Sequence, residues 1–213
     1  MKILALDSSG LVASVALVEN DTLIAEYTIQ YKKTHSQTLL PMLDEIRNMV
    51  ELDMDSVDAI AVAAGPGSFT GLRIGSATAK GLALALEKPI IPIPTVDGLA
   101  YQMYGTDSLV CPIMDARRNQ VYTGIYEFVA DKEAYKLHTL KEQCAAAFDE
   151  IAEVLNELGR KVVFLGDGVP VFAERMKEVM KVPYLLAPAH RSRQSAAAVA
   201  ALAQEYYVLG NYV

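Results

Sequence analysis

The sequence has little of what metal, thiol or serine-triad chemistry requires. It contains two cysteines, three histidines and no tryptophan. Cys111 and Cys144 lie in apolar or alanine-rich surroundings without a Cys-x-x-Cys pair, which favours reduced, buried thiols over a disulfide. The histidines (His35, His138 and His190) lack metal-pair spacing, and no Gly-x-Ser-x-Gly elbow occurs. The residues alone therefore give no support to a metal or triad enzyme.

Long apolar runs are also missing. No stretch approaches the ~20 apolar residues of a membrane helix. The N-terminus becomes acidic at Asp7, which is too early for a signal peptide. We therefore expect a cytoplasmic protein without membrane contact.

Positive charge is scarce, since the net charge is −7. The basic pairs are short and scattered: Lys32-Lys33, Arg117-Arg118, and Arg191 with Arg193. A protein that holds nucleic acid by itself usually has a basic face. Any RNA is thus expected to be held mainly through a partner.

What is present is a pattern that occurs twice. Each half has an apolar strand closed by an aspartate (Asp7, Asp115), a turn, two further strands, and then helix, strand and helix. This order predicts a duplicated unit with three antiparallel strands extended by parallel strands and helices. Paired units of this type build the α/β actin-like, sugar-kinase-like fold with two RNase H-like subdomains. We predict an N-terminal subdomain over 1–105, a C-terminal one over 106–190, and a last helix in 191–213 that packs back on the first.

The glycine-rich segment 65–75 follows a predicted strand and opens a helix. Free backbone N–H groups at such a turn can bind phosphate, although a tight turn that binds nothing is an equal alternative. Asp7 could hold magnesium beside such a phosphate, or could cap its own turn. Asp115 allows the same two interpretations, but its turn lacks glycine, which weakens the case for an ATPase. The candidate nucleotide-binding residues are Asp7, Ser9, Gly65, Gly67, Ser68 and Thr70.

The helix after this segment has small residues at four-residue spacing, on one face. Glycine inside a helix costs about 0.5–1 kcal/mol relative to alanine, so close packing is expected there. That packing is either internal or, as we favour, a subunit interface shared with the helix over 39–50. The predicted interface residues are Leu39, Leu43, Ile46, Gly71, Leu72, Gly75, Ala79, Leu82 and Ala83. On this hypothesis Gly75→Leu abolishes pairing and leaves the subunit folded.

Several motifs together resemble one family. They are the start Ile3–Ser9, His35-Ser36 with Leu39-Leu40-Pro41, the run Gly65–Gly75, Asp115–Arg118 with Val121-Tyr122, and Gly166-Asp167-Gly168. Along essentially the whole chain this is similar to the TsaB (YeaZ) family, and the Gly-Pro-Gly-Ser-Phe-Thr-Gly-Leu-Arg run is the most specific part.

The resemblance implies a partner of the catalytic subunit TsaD, which threonylcarbamoylates N6 of adenosine 37 in tRNAs reading codons that start with A. The His-x-x-x-His metal pair of TsaD corresponds to Thr95 and Leu99 here, which implies a non-catalytic chain without a metal. Family members associate through the first two helices, with TsaD or as homodimers, and the ATPase TsaE joins the assembly. No cofactor is expected, although ATP or ADP could bind at a subunit junction. The alternative is an independent ATPase, kinase or peptidase of the same fold.

Overall fold

The structure is a computed structural model that describes residues 1–31 and 34–213, so the Lys32-Lys33 pair lies outside the described residues. The strands are β1 Lys2–Asp7, β2 Ala13–Glu19, β3 Thr22–Ile29, β4 Ala59–Ala63, β5 Ile90–Ile93, β6 Leu109–Arg117, β7 Gln120–Asp131, β8 Ala134–Ala147, β9 Val162–Leu165 and β10 Tyr184–Leu186. The helices are α1 His35–Met49, α2 Phe69–Leu86, α3 Thr95–Tyr101, α4 Phe148–Leu158, α5 Val169–Val179 and α6 Ala196–Val208.

The chain forms two compact units. Unit 1 comprises Met1–Gly98 and Gln194–Val213, and unit 2 comprises Leu99–Arg193. The first change of unit falls inside α3, between residues 98 and 99, whereas we predicted a boundary between 105 and 106, in the polar stretch 105–108. That stretch belongs to unit 2, where Ser108 is buried and Asp107 is exposed, so its polar composition does not mark a change of unit.

Unit 1 is built on a five-stranded sheet in the order β3-β2-β1-β4-β5. β1 is antiparallel to β2 and parallel to β4. Its residues Ile3–Leu6 are fully buried, as an apolar run in a central strand requires. α1 and α2 contribute their apolar faces to a core that rests on β1, β2 and β4.

Unit 2 repeats this topology in the order β10-β9-β6-β7-β8. β6 is antiparallel to β7 and parallel to β9, as β1 is to β2 and β4. α4 and α5 place Phe148, Leu155, Phe172 and Met176 in one core with the inner residues of β6 and β9. The predicted duplication of three antiparallel and two parallel strands is therefore present in both units.

α6 returns to the first sheet, and its first turn is fixed there by side chains. Ser14 Oγ accepts the Ala196 N–H (2.9 Å), Glu26 Oε1 accepts the Ala197 N–H (3.3 Å), and Ser195 Oγ accepts the Ala198 N–H. Since the first N–H groups of a helix have no partner within it, these acceptors stabilise the α6 terminus. Within the described residues, no helix combines the length and apolar character needed to span a membrane.

Both cysteines are free thiols, as predicted, but only Cys111 has the predicted burial, since Cys144 is partly exposed. Cys111 is fully buried, and burial raises the pKa of its thiol to about 12. Because the thiolate is the reactive form, we expect a maleimide to modify the partly exposed Cys144 well before Cys111 at neutral pH. Mass spectrometry of the peptides over time measures both rates. Equal rates in the folded protein would contradict the burial of Cys111.

Candidate functional site

The predicted nucleotide loop packs against the turn between β1 and β2. The Ser68 N–H donates to the Ser9 carbonyl (2.7 Å). A Cβ at Gly67 would lie 2.3 Å from that same oxygen. Ser68 Oγ accepts the Gly71 N–H as the N-cap of α2. The close approach that Gly67 permits is thus to this chain's own backbone, and two groups that could hold a phosphate are already hydrogen-bonded.

Asp7 is buried and caps its own turn. Its Oδ1 accepts the Ser9 N–H (2.8 Å) and the Ser9 hydroxyl (2.6 Å). Burial raises the pKa of this carboxyl, while the two Ser9 hydrogen bonds and the nearby His35 oppose the increase. The same turn is fixed by His35 Nε2, which donates to the Gly10 carbonyl (2.8 Å), and by the Gln194 side chain, which packs against Gly10. The geometry matches the capping interpretation of Asp7.

The raised pKa of Asp7 gives a stability prediction with a definite sign. A carboxyl whose pKa is higher in the folded state stabilises the fold fully below its unfolded pKa of about 4, and this contribution is lost as the pH rises through the folded pKa. Asparagine keeps an oxygen for the Ser9 bonds and does not ionise. We therefore expect the wild type to lose stability relative to Asp7→Asn as the pH rises from 4 to 8. Urea unfolding across this range measures the difference, and a constant difference would refute the prediction.

The small-residue face of α2 is filled by this chain, so the packing is internal and our favoured prediction of a subunit interface on this face is wrong. Gly71, Gly75, Ala79 and Ala83 are all buried within unit 1. A Cβ at Gly71 would lie 2.0 Å from the Ser8 carbonyl oxygen, and one at Gly75 would lie 2.5 Å from Ser8 Oγ. Ser8 Oγ also donates to the Gly71 carbonyl (2.8 Å). The two glycines therefore admit Ser8 and not a partner.

The predicted interface residues of α1 need the same correction. Leu39, Leu43 and Ile46 lie in the core between α1 and the sheet. Their helical spacing marks the face that turns inward, as it does in most helices on a sheet. Leu72 and Leu82 are half-buried, and Leu82 packs against the same core.

The remaining candidate residues occupy structural positions. The Gly65 N–H donates to Thr95 Oγ1 (3.0 Å), and the Thr95 N–H donates to the Gly65 carbonyl (2.9 Å). Thr95 and Leu99 are both buried. Thr70 is exposed in the first turn of α2. The structure thus brings Asp7, Ser9, Gly67 and Ser68 together in unit 1 and leaves Thr70 at the surface.

The outer faces of α1 and α2 carry the features that sequence reasoning missed. Phe69 is 75% exposed and Leu84 is 83% exposed on α2, while Leu40 and Met49 are exposed on α1. The Arg73 guanidinium lies 5.3 Å from the centre of the Phe69 ring, a cation–π contact. The sequence contains a signal for this outer face of α2, because residues 69, 73, 80 and 84 keep helical spacing on the side away from the glycines.

A trough of about 620 Å³ runs beside α2 on the side of β5. Phe69, Leu72, Arg73, Lys80 and Pro92 are among its lining residues. The trough extends the apolar surface of outer α2 towards the sheet edge. A trough lined by exposed apolar and basic side chains is typical of a protein–protein contact surface.

Comparison with solved structures identifies the class of fold. YeaZ from Pseudomonas aeruginosa superimposes with a TM-score of 0.79 at 27% identity, covering 100% of this chain and 94% of that one. An inorganic polyphosphate/ATP-glucomannokinase from Arthrobacter sp. gives a TM-score of 0.53 at 12% identity, covering 98% and 99%, and so shows the fold alone. The chain therefore has the actin-like, sugar-kinase-like fold that the duplication predicted.

Sequence comparison identifies the family. The model of the family described as TsaD, tRNA N6-adenosine threonylcarbamoyltransferase, matches residues 22–208. The tRNA threonylcarbamoyladenosine biosynthesis protein TsaB of Bacillus subtilis is 37% identical over 180 residues, which are 84% of this chain and 77% of that protein. The chain belongs to the TsaB (YeaZ) family.

Proposed function

We propose that this chain acts in tRNA threonylcarbamoyladenosine biosynthesis as a non-catalytic scaffold subunit. It docks on a TsaD-like catalytic subunit through the outer faces of α1 and α2 and is required for N6-threonylcarbamoylation of adenosine 37. The observation that carries the proposal is the exposure of Phe69 and Leu84 on outer α2, after the inner faces of both helices have been used in the core. A large apolar side chain in water is favourably buried by a partner, with aromatic and Arg residues as the usual anchors.

Charge on the two helices supports a partner built like this chain. Outer α1 carries Asp44, Glu45 and Arg47, with Asp44 and Arg47 paired at 3.7 Å, so that its net charge is negative; outer α2 carries Arg73 and Lys80, and all five side chains are exposed. If a related subunit places its own first two helices opposite, acidic α1 meets basic α2 on each side. A match to the TsaD family model over most of the chain supports such a related partner. The same symmetry allows a homodimer when the catalytic subunit is absent.

The local chemistry of unit 1 supports a chain that performs no reaction itself. The Ser68 N–H and hydroxyl and the Asp7 carboxylate are engaged in holding the β1–β2 turn and the start of α2. We therefore propose that this chain requires no cofactor, that a TsaE-like ATPase supplies nucleotide chemistry in the complex, and that tRNA is held mainly by the assembly. ATP or ADP at a subunit junction remains a prediction.

Mixing the chain with a TsaD-like subunit tests the proposal. Size-exclusion chromatography with light scattering should show a heterodimer of one copy of each subunit. The isolated chain, incubated with ATP and magnesium, should show no turnover above buffer. Steady turnover that Asp7→Ala removes, without complex formation, would establish the alternative of an independent ATPase or kinase.

A further inference from the structure

The turn between β6 and β7 places two arginines where backbone geometry favours other residues. Arg117, Arg118 and Asn119 have φ values of 68°, 52° and 60°. Arg118 and Asn119 form a two-residue hairpin loop, and a register shift lies between Asp115 and Arg117. Two-residue loops with positive φ at both positions favour asparagine and glycine, and glycine is usual at positive φ in a bulge. Backbone sterics therefore disfavour an arginine at both positions.

The backbone of this turn is held by a chain of carboxylates. Asp167 Oδ1 accepts the Asp115 N–H (3.0 Å), and Asp115 Oδ1 accepts the Arg117 N–H (2.8 Å). Asp115 Oδ2 lies 3.2 Å from Arg117 Nη1, although the Arg117 side chain is 83% exposed. Arg118 is exposed and has no ion pair within the part of the chain that the structure describes. Interactions within unit 2 therefore give no role to the Arg118 side chain, and give Arg117 only an exposed ion pair with Asp115.

A phosphate-bearing partner explains them. Backbone strain persists at positions where the side chain has a function. The guanidinium fork matches phosphate oxygens, and a protein of net charge −7 can attract a polyanion only where cations are locally grouped. Residues 117–120 carry no apolar side chain, unlike the anchor of a protein interface. These observations favour RNA over an acidic protein.

We propose that Arg117 and Arg118 contact backbone phosphates of the tRNA that the assembled complex modifies. This rests on the proposed function, because the complex must bring the tRNA to this chain. The two guanidinium groups supply phosphate contacts that position the RNA without reading its sequence.

The test compares tRNA binding by the assembled complex with and without the two side chains, in a variant that suits the turn. In Arg117→Gly/Arg118→Asn both positions receive residues that accept positive φ, so the melting temperature should stay equal or rise. The affinity for tRNA should fall several-fold, and the slope of log K against log salt should decrease by about 1–2. The matched control is Lys132→Asn. Lys132 also has a positive φ (56°) and lies in the β7–β8 turn, so this variant removes a cation from a similar turn and should leave the salt dependence of tRNA binding unchanged.

An unchanged affinity and salt slope in the double variant would overturn this inference. The inference would also be overturned if the double variant bound the catalytic subunit more weakly, while the complex that still formed bound tRNA normally. That result would assign the arginines to a protein contact. If the wild-type complex forms but binds no tRNA, the inference is overturned while the docking proposal stands. Failure of the complex to form would overturn both.

Discussion

Replacing Phe69 with aspartate should weaken binding to a TsaD-like subunit by about 30-fold or more while leaving unit 1 folded. Phe69 is 75% exposed and packs only partly, beneath the Arg73 guanidinium. An aromatic anchor at the centre of an interface typically contributes ~2 kcal/mol or more, and a buried unpaired carboxylate opposes association further. Isothermal titration calorimetry of the two purified subunits measures the loss.

Val171→Asp provides the matched control. Val171 is an exposed apolar residue on α5 of unit 2, outside the proposed docking surface. It should change neither affinity nor melting temperature appreciably. Equal affinity for wild type and Phe69→Asp would remove outer α2 from the interface, whereas a loss in both variants would indicate a nonspecific effect of charge.

Gly71→Ala should destabilise the chain by about 2–4 kcal/mol, because the added methyl group meets backbone. Its Cβ would lie 2.0 Å from the Ser8 carbonyl oxygen, and a carbonyl in a central strand-to-turn junction cannot move without disturbing β1. The sequence-based prediction that Gly75→Leu leaves the subunit folded is replaced for the same reason. We now expect Gly75→Leu to unfold unit 1, since its side chain would displace Ser8.

Gly81 gives the opposite result in the same helix. A Cβ there meets no atom of residues 1–31 or 34–213 within 4 Å, so Gly81→Ala should stabilise α2 by about 0.5–1 kcal/mol. Chemical denaturation of both variants measures the pair. A Gly71→Ala protein as stable as the wild type would show that the Ser8 carbonyl does not pack against Gly71.

The sequence predicted the order of elements well because that order depends on local patterns. The order of three strands, helix, strand and helix was correct in both halves, and the last helix, α6, lies within the predicted 191–213. Local composition is a poorer guide to β8, which continues to Ala147. Residues 141–147 have the composition of a helix, and their pairing with β7 overrides that propensity.

The candidate site was harder to predict, because helical periodicity shows that residues share a face without showing what covers it. The glycine face of α2 was correctly located, but its occupant, Ser8, is 63 residues away along the chain from Gly71. That contact depends on tertiary structure and leaves no mark in the helix sequence. Phe69 and Leu84 keep helical spacing in the sequence. Apolar residues with this spacing normally indicate the buried face of a helix, so their exposure could not be predicted.

The proposed interface still lies on α1 and α2, but on their outer faces and not on the glycine face of α2. The glycines hold α2 close to the β1–β2 turn, which fixes the orientation of its outer face. The docking proposal therefore now depends on the exposed apolar and charged side chains of α1 and α2.

The content of N6-threonylcarbamoyladenosine in tRNA, measured by mass spectrometry of nucleosides, tests the scaffold role most directly. In a reconstituted reaction with a TsaD-like subunit and a TsaE-like ATPase, product should form when this chain is added and should be nearly absent without it or with Phe69→Asp in its place. Full modification in the absence of this chain would contradict the account.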